Sequence, residues 1–97
     1  MKRYNLEKCL ENEIKKLAEK NSIKKVILFG SRSRCSNNEK SDIDLAVSGG
    51  DILDFSYDVE EKTHTLLMFD IVNLDRGITS ELQEEIERDG VVIYEKV

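Results

Sequence analysis

Leu6, Leu10, Ile14 and Leu17 recur every three or four positions over residues 5–20, with Cys9 and Ala18 beside them. That period places them on one face of an amphipathic helix. Asn5 is the expected N-cap, and Asn21 is expected to end the helix in the left-handed conformation. Cys9, close to the apolar face, is expected in the core. Val26-Ile27-Leu28-Phe29 then forms a short apolar run stopped by Gly30-Ser31, which reads as a buried strand ending in a turn. A short helix is expected after that turn, and residues 35–41 form a polar loop. Ile43-Asp44-Leu45-Ala46-Val47 is a second strand, closed by Gly49-Gly50. Residues 51–63 satisfy both periods. Leu53, Phe55, Tyr57 and Val59 alternate, while Ile52, Phe55 and Val59 share a helical face; Asp51 as N-cap tilts the reading to helix. Leu67 to Leu74 is a third strand. Ser80 and Gln83 match a capping box that opens a helix, with Leu82 and Ile86 facing inward and Gly90 as its C-cap. Val91-Val92-Ile93-Tyr94 is the last strand. The pattern predicts an α/β (α+β) fold in two layers, a mixed sheet of three to four strands flanked by helices.

The 97 residues are expected to form a single domain spanning 1–97. Hydrophobic residues at 39% suffice for one small core, and the 36% charged residues cover its surface, which excludes a disordered chain. With no proline, collagen-like and Pro-rich linker readings are excluded. Wholly apolar runs stop at about four residues, far short of the ~20 a membrane span needs. Charged residues follow Met1-Lys2-Arg3 where a signal peptide would be apolar, so a cytoplasmic location is expected. Cys9 and Cys35 are too few for a disulfide scaffold and too far apart for a Cys-x-x-Cys site. The net charge of −5 argues against general nucleic-acid binding. Its distribution says more. Residues 1–40 carry eleven Lys/Arg against five Asp/Glu, and residues 41–97 carry four against fifteen. A basic cradle facing an acidic, metal-binding wall is one way to use that asymmetry.

Two local features suit such a division. Gly30-Ser31 directly follows a buried strand, and Arg32 and Arg34 come next. Backbone N–H groups at a glycine turn, a hydroxyl and two guanidinium groups suit a polyphosphate. By itself, Gly-Ser after a strand is most simply a turn. The second feature is Asp42-Ile43-Asp44, whose carboxylates leave the strand on one face. Two like charges side by side repel unless a cation lies between them. Solvent-facing aspartates at a strand edge are the bland alternative. Asp70 shifts the balance, because it interrupts the otherwise apolar run Leu66 to Val72. A charge there is expensive unless it lies at an edge, is paired or binds metal. If the third strand lies beside the second, Asp70 joins Asp42 and Asp44, and three carboxylates can hold two Mg²⁺ ions.

Gly30-Ser31, ten residues, then Asp42-Ile43-Asp44 resembles the Gly-Ser-x10-Asp-x-Asp signature of the nucleotidyltransferase superfamily related to DNA polymerase beta. Leu28 to Arg34 and Ser41 to Val47 are similar to its minimal, MntA-like branch, and Phe69-Asp70-Ile71-Val72 resembles the strand bearing the third carboxylate. The resemblance covers roughly residues 5–95. It implies that Ser31 holds the terminal phosphates of ATP, with Gly30 allowing close approach and Arg32 and Arg34 steadying the triphosphate. It also implies that Asp42 and Asp44 ligate both Mg²⁺ ions, and that Asp70 shares one and assists deprotonation of the attacking hydroxyl. Ser33 and Cys35 depart from the Ala and Gly common in the family. The branch resembles antitoxins that transfer AMP to a tyrosine of HEPN-type toxins. A HEPN-type toxin partner is therefore expected, the more so because the chain has no residues left for a second domain to close the site.

Two rival readings stand beside this. One is a binding module that neutralises a partner by covering it. The other transfers a nucleotide to a small molecule such as an aminoglycoside. His64, the sole histidine, has no ligand partner in sequence and reads as a surface or capping residue. Cys35 beside two arginines reads as a loop thiol. Phe55 and Tyr57 read as core packing before base stacking.

Overall fold

A computed structural model describes residues 4, 6–34, 42–63 and 65–96. Asn5, Cys35, Ser41 and His64 therefore lie outside the described residues. Three helices, α1 (Lys8–Lys20), α2 (Ile52–Lys62) and α3 (Ser80–Asp89), accompany four strands, β1 (Lys25–Phe29), β2 (Ile43–Ser48), β3 (Phe69–Asn73) and β4 (Val91–Glu95). Single 3₁₀ turns follow β1 and β3, at Gly30–Arg32 and Leu74–Arg76. The expected short helix after β1 is thus one 3₁₀ turn.

The strands form one mixed sheet in the order β3-β2-β1-β4. β1 is antiparallel to both β2 and β4, while β3 runs parallel to β2. A parallel pair needs a crossover, and α2 supplies it. Side-chain alternation then divides the core. Leu45 and Val47 of β2 face the cluster built with Leu10 and Ile14 of α1 and Phe55 and Val59 of α2. Ala46 faces the other way, with Phe29, Val72 and Ile86 of α3. The sheet with α1 and α2 forms the two main layers, and α3 lightly covers the second face.

Several local expectations shift by a residue or more. α1 begins at Lys8 with Glu7 as its N-cap, two positions beyond the cap expected at Asn5. Cys9 is exposed, not in the core, because Leu10 and Ile14 already fill the inner face. Asn21 does not take the left-handed conformation; Ser22 does, at φ 59°. The N–H groups of Ser22 and Ile23 reach the carbonyls of Glu19 and Ala18, the paired bonds that close a helix through a left-handed residue. Asn21 is used elsewhere. Its amide donates to Leu17 O at 2.9 Å and to Asp58 Oδ2 at 3.0 Å, tying α1 to α2. That bond, with Lys62 and Lys20 nearby, holds the Asp58 carboxyl below its ordinary range. Likewise α3 is capped by Thr79, whose Oγ1 accepts from Leu82 N at 3.2 Å, and Ser80 is its first helical residue. Gln83 reaches forward to Glu87, so no capping box forms. Asp51 caps α2, accepting from Asp54 N, as expected. Gly90 ends α3 with ordinary backbone angles. A side chain there would collide with Ile86 O and press on Ile27.

Candidate active site

The register of two strand pairs builds the site. Phe29, the last residue of β1, stands opposite Asp44 of β2. The chain then turns sharply at Gly30, whose φ of 77° is open mainly to glycine. A methyl group at Gly30 would also collide with Asp44 Oδ2, so the glycine turn and this carboxylate are in close contact. The turn is pinned by Ser33, whose buried hydroxyl donates to Gly30 O at 2.7 Å while its N–H reaches the same oxygen at 3.2 Å. The family departure at Ser33 therefore serves as a lock on the turn. Ser31 is half-buried within it. The two arginines separate: Arg32 is buried and Arg34 lies on the surface.

On the other side of β2, the parallel register sets Asp44 beside Asp70. Asp70 sits on an edge strand and is exposed, so both halves of the expectation hold at once: an edge position and a neighbouring carboxylate. Asp42, also exposed, immediately precedes β2, two residues before Asp44. Asp44 and Asp70 leave the sheet on the face that carries α3, the face of Ala46 and Val72.

Their fields overlap. Partial burial first, then the negative charges of Asp70, Asp42 and Glu85, raise Asp44 to about 6, and Arg34 offsets part of the rise. An end of the sheet with this excess of negative charge and hard oxygen donors suits Mg²⁺. Among the described residues, no three Asp, Glu, His or Cys side chains converge closely enough to enclose an ion as they stand. The exposed side chains of Asp42 and Asp70 would have to turn inward to do so.

α3 contributes two groups that the pattern along the chain does not mark. Glu85 adds to the charge around Asp44, and Asp89 pairs with Arg34 at 3.3 Å. Both lie more than forty residues from the signature in an acidic helix (Ser-Glu-Leu-Gln-Glu-Glu-Ile-Glu-Arg-Asp) where no carboxylate stands out. Among the remaining aromatics, Phe55 is in the core and Tyr57 is exposed, so only the first follows the packing expectation.

Residues 12–97 match the family model described as polymerase beta, nucleotidyltransferase, and the chain belongs to that family. A protein of Methanocaldococcus jannaschii named "Putative protein adenylyltransferase MJ0604" is 39% identical over 70 residues, covering 70% of this chain and 68% of that one. A chain from a toxin–antitoxin crystal structure with AMP-PNP superposes with a TM-score of 0.70 at 26% identity, over 89% of this chain and 73% of that chain. The fold is also that of a chain in an MntA-HepT toxin–antitoxin structure, with a TM-score of 0.66 at 23% identity, over 93% and 74% of the two chains. The protein is an enzyme of the nucleotidyltransferase type in its minimal form. No described helix is long and apolar enough to cross a membrane.

Proposed function

We propose that this chain transfers AMP from ATP to the hydroxyl of a tyrosine on a HEPN-type toxin, and so acts as the antitoxin of the pair. The observation that carries the reading is the register that sets Asp70 beside Asp44 while Gly30 packs against the same carboxylate. A phosphate-binding turn and a row of carboxylates thereby share one end of the sheet. The archaeal relative's name and the toxin–antitoxin neighbours support a protein acceptor.

The chemistry follows from this placement. Ser31 and the backbone of the Gly30 turn would receive the β- and γ-phosphates, and Arg34 would meet their outer oxygens. Asp42, Asp44 and Asp70 would hold Mg²⁺, which when bound neutralises phosphate charge and makes a hydroxyl easier to deprotonate. Asp70, exposed at the open edge, would accept the proton of an incoming hydroxyl. That oxygen forms its bond to the α-phosphorus as the bond to the bridging oxygen of the β-phosphate breaks. AMP remains on the acceptor and pyrophosphate leaves in line. The acceptor approaches from the β3 side, because β3 is the sheet edge nearest the carboxylates.

A growth assay tests the antitoxin role. Cells expressing the toxin should recover when the wild-type chain is supplied and should stay arrested with the Asp42→Asn/Asp44→Asn variant at equal protein level. Recovery with that variant would contradict the reading and favour neutralisation by covering alone.

A further inference from the structure

α3 ends on a carboxylate that its own helix does not call for. A negative charge at the last helical position opposes the helix dipole. Asp89 nevertheless occupies it, with its side chain 16% exposed. Three N–H groups converge on its Oδ2. Arg88 donates through Nε at 3.1 Å and Nη2 at 3.0 Å, and Arg34 through Nη1 at 3.3 Å. Arg34 comes from 55 positions earlier, just after the Gly30 turn, and its charge also acts on Asp44. Asp89 is thus the point at which α3 grips the surface arginine of the phosphate side.

We propose that Asp89 is a positioning residue that holds the Arg34 guanidinium ready for the triphosphate of the incoming nucleotide. The inference rests on the reading of Arg34 as a triphosphate ligand. A free arginine samples many rotamers, and fixing one at the moment of binding weakens affinity. Holding it beforehand removes that cost. The geometry favours positioning over sequestration. Asp89 already shares its charge with Arg88 through two shorter bonds, and a single long contact through Nη1 leaves the other donors of Arg34 for phosphate oxygens. Arg88, in turn, offsets the charge that Asp89 places against the helix end.

The test is calorimetric binding of Mg·ATP and of AMP to the full chain carrying Asp89→Asn, Arg34→Ala, or both. Each single change should weaken Mg·ATP about two- to fivefold, the effect of one exposed ionic contact. AMP affinity should hold, since only the outer phosphates meet Arg34, and the double variant should bind no more weakly than Arg34→Ala alone. Asp89→Asn should lower the melting temperature only slightly, because the ion pairs it weakens lie at the surface. Mg·ATP binding as in the wild type, or tighter, in Asp89→Asn while Arg34→Ala is impaired would overturn the proposal. So would equal losses for ATP and AMP. If Arg34→Ala itself binds Mg·ATP normally, the assignment of Arg34 to the triphosphate fails, and the role of Asp89 fails with it.

Discussion

Asp44 is where folding and chemistry pull in opposite directions. Its ordinary value of 3.8 rises to about 6 in the fold, first through burial and then through neighbouring carboxylates. Between those values the folded protein keeps a proton that the unfolded chain has released. The group therefore favours folding most at low pH, and that advantage is lost as pH rises through about 6. Asp44→Asn carries no such charge. At pH 7.5 we expect it to be more stable than the wild type by about 1 kcal/mol after allowance for solvent screening, or roughly 4–8 °C in melting temperature. Below pH 4 the difference should close. Thermal scans across pH check this, and a constant offset at every pH would show that charge is not the cause. Gly30 presents the complementary case. Gly30→Ala forces a side chain into a left-handed position and against Asp44. It should cost about 1–2 kcal/mol of stability. Because a displacement near 1 Å at reacting groups is worth about 100-fold in rate, nucleotide transfer should fall by about that factor. Denaturant unfolding and initial-rate assays measure the two effects separately.

Most elements were legible from periodicity. Helix and strand spacings placed α1, β1, β2 and β4 closely, and the ambiguous stretch 51–63 resolved as helix because Phe55, Val59 and Ile52 all reach the core. The shifts came where two polar neighbours could do the same job. Asn21 and Ser22 compete for the left-handed position; Ser22 takes it, while the Asn21 amide bonds Asp58, a contact across 37 positions that no local pattern marks. Thr79 and Ser80 compete for the cap of α3, and the choice follows from where Leu82 and Ile86 must sit to cover the second face of the sheet. Long-range register was legible only conditionally: Asp70 could be matched to Asp44 only if β3 lay beside β2, and nothing local states that it does. The role of α3 at the site was not legible at all, since Glu85 and Asp89 lie in a helix rich in similar charges. The cap assignment yields its own test. Thr79→Ala should destabilise by about 1 kcal/mol, while Ser80→Ala should stay within about 0.5 kcal/mol. Chemical denaturation of both variants distinguishes them, and the reverse order would restore Ser80 as the cap.

Across the whole molecule, charge is sorted by position in the chain, and the fold brings part of it together. The basic first part contributes Arg34, and the acidic second part contributes Asp42, Asp44, Asp70, Glu85 and Asp89 around it. A site with this much negative charge gains stability from whatever neutralises it. Mg²⁺ with ATP should therefore raise the melting temperature of the wild type, by the equivalent of about 2.7 kcal/mol at a hundredfold excess over the dissociation constant. The Asp42→Asn/Asp44→Asn variant should show almost none of that shift. The most direct measurement follows the nucleotide itself. The chain would be incubated with Mg²⁺, ATP labelled at the α-phosphate and the purified toxin partner, beside the double aspartate variant. The account predicts label on a tyrosine of the partner with the wild-type chain and none with the variant. An unlabelled partner in a stable complex with the wild-type chain, or equal labelling by the variant, would contradict it.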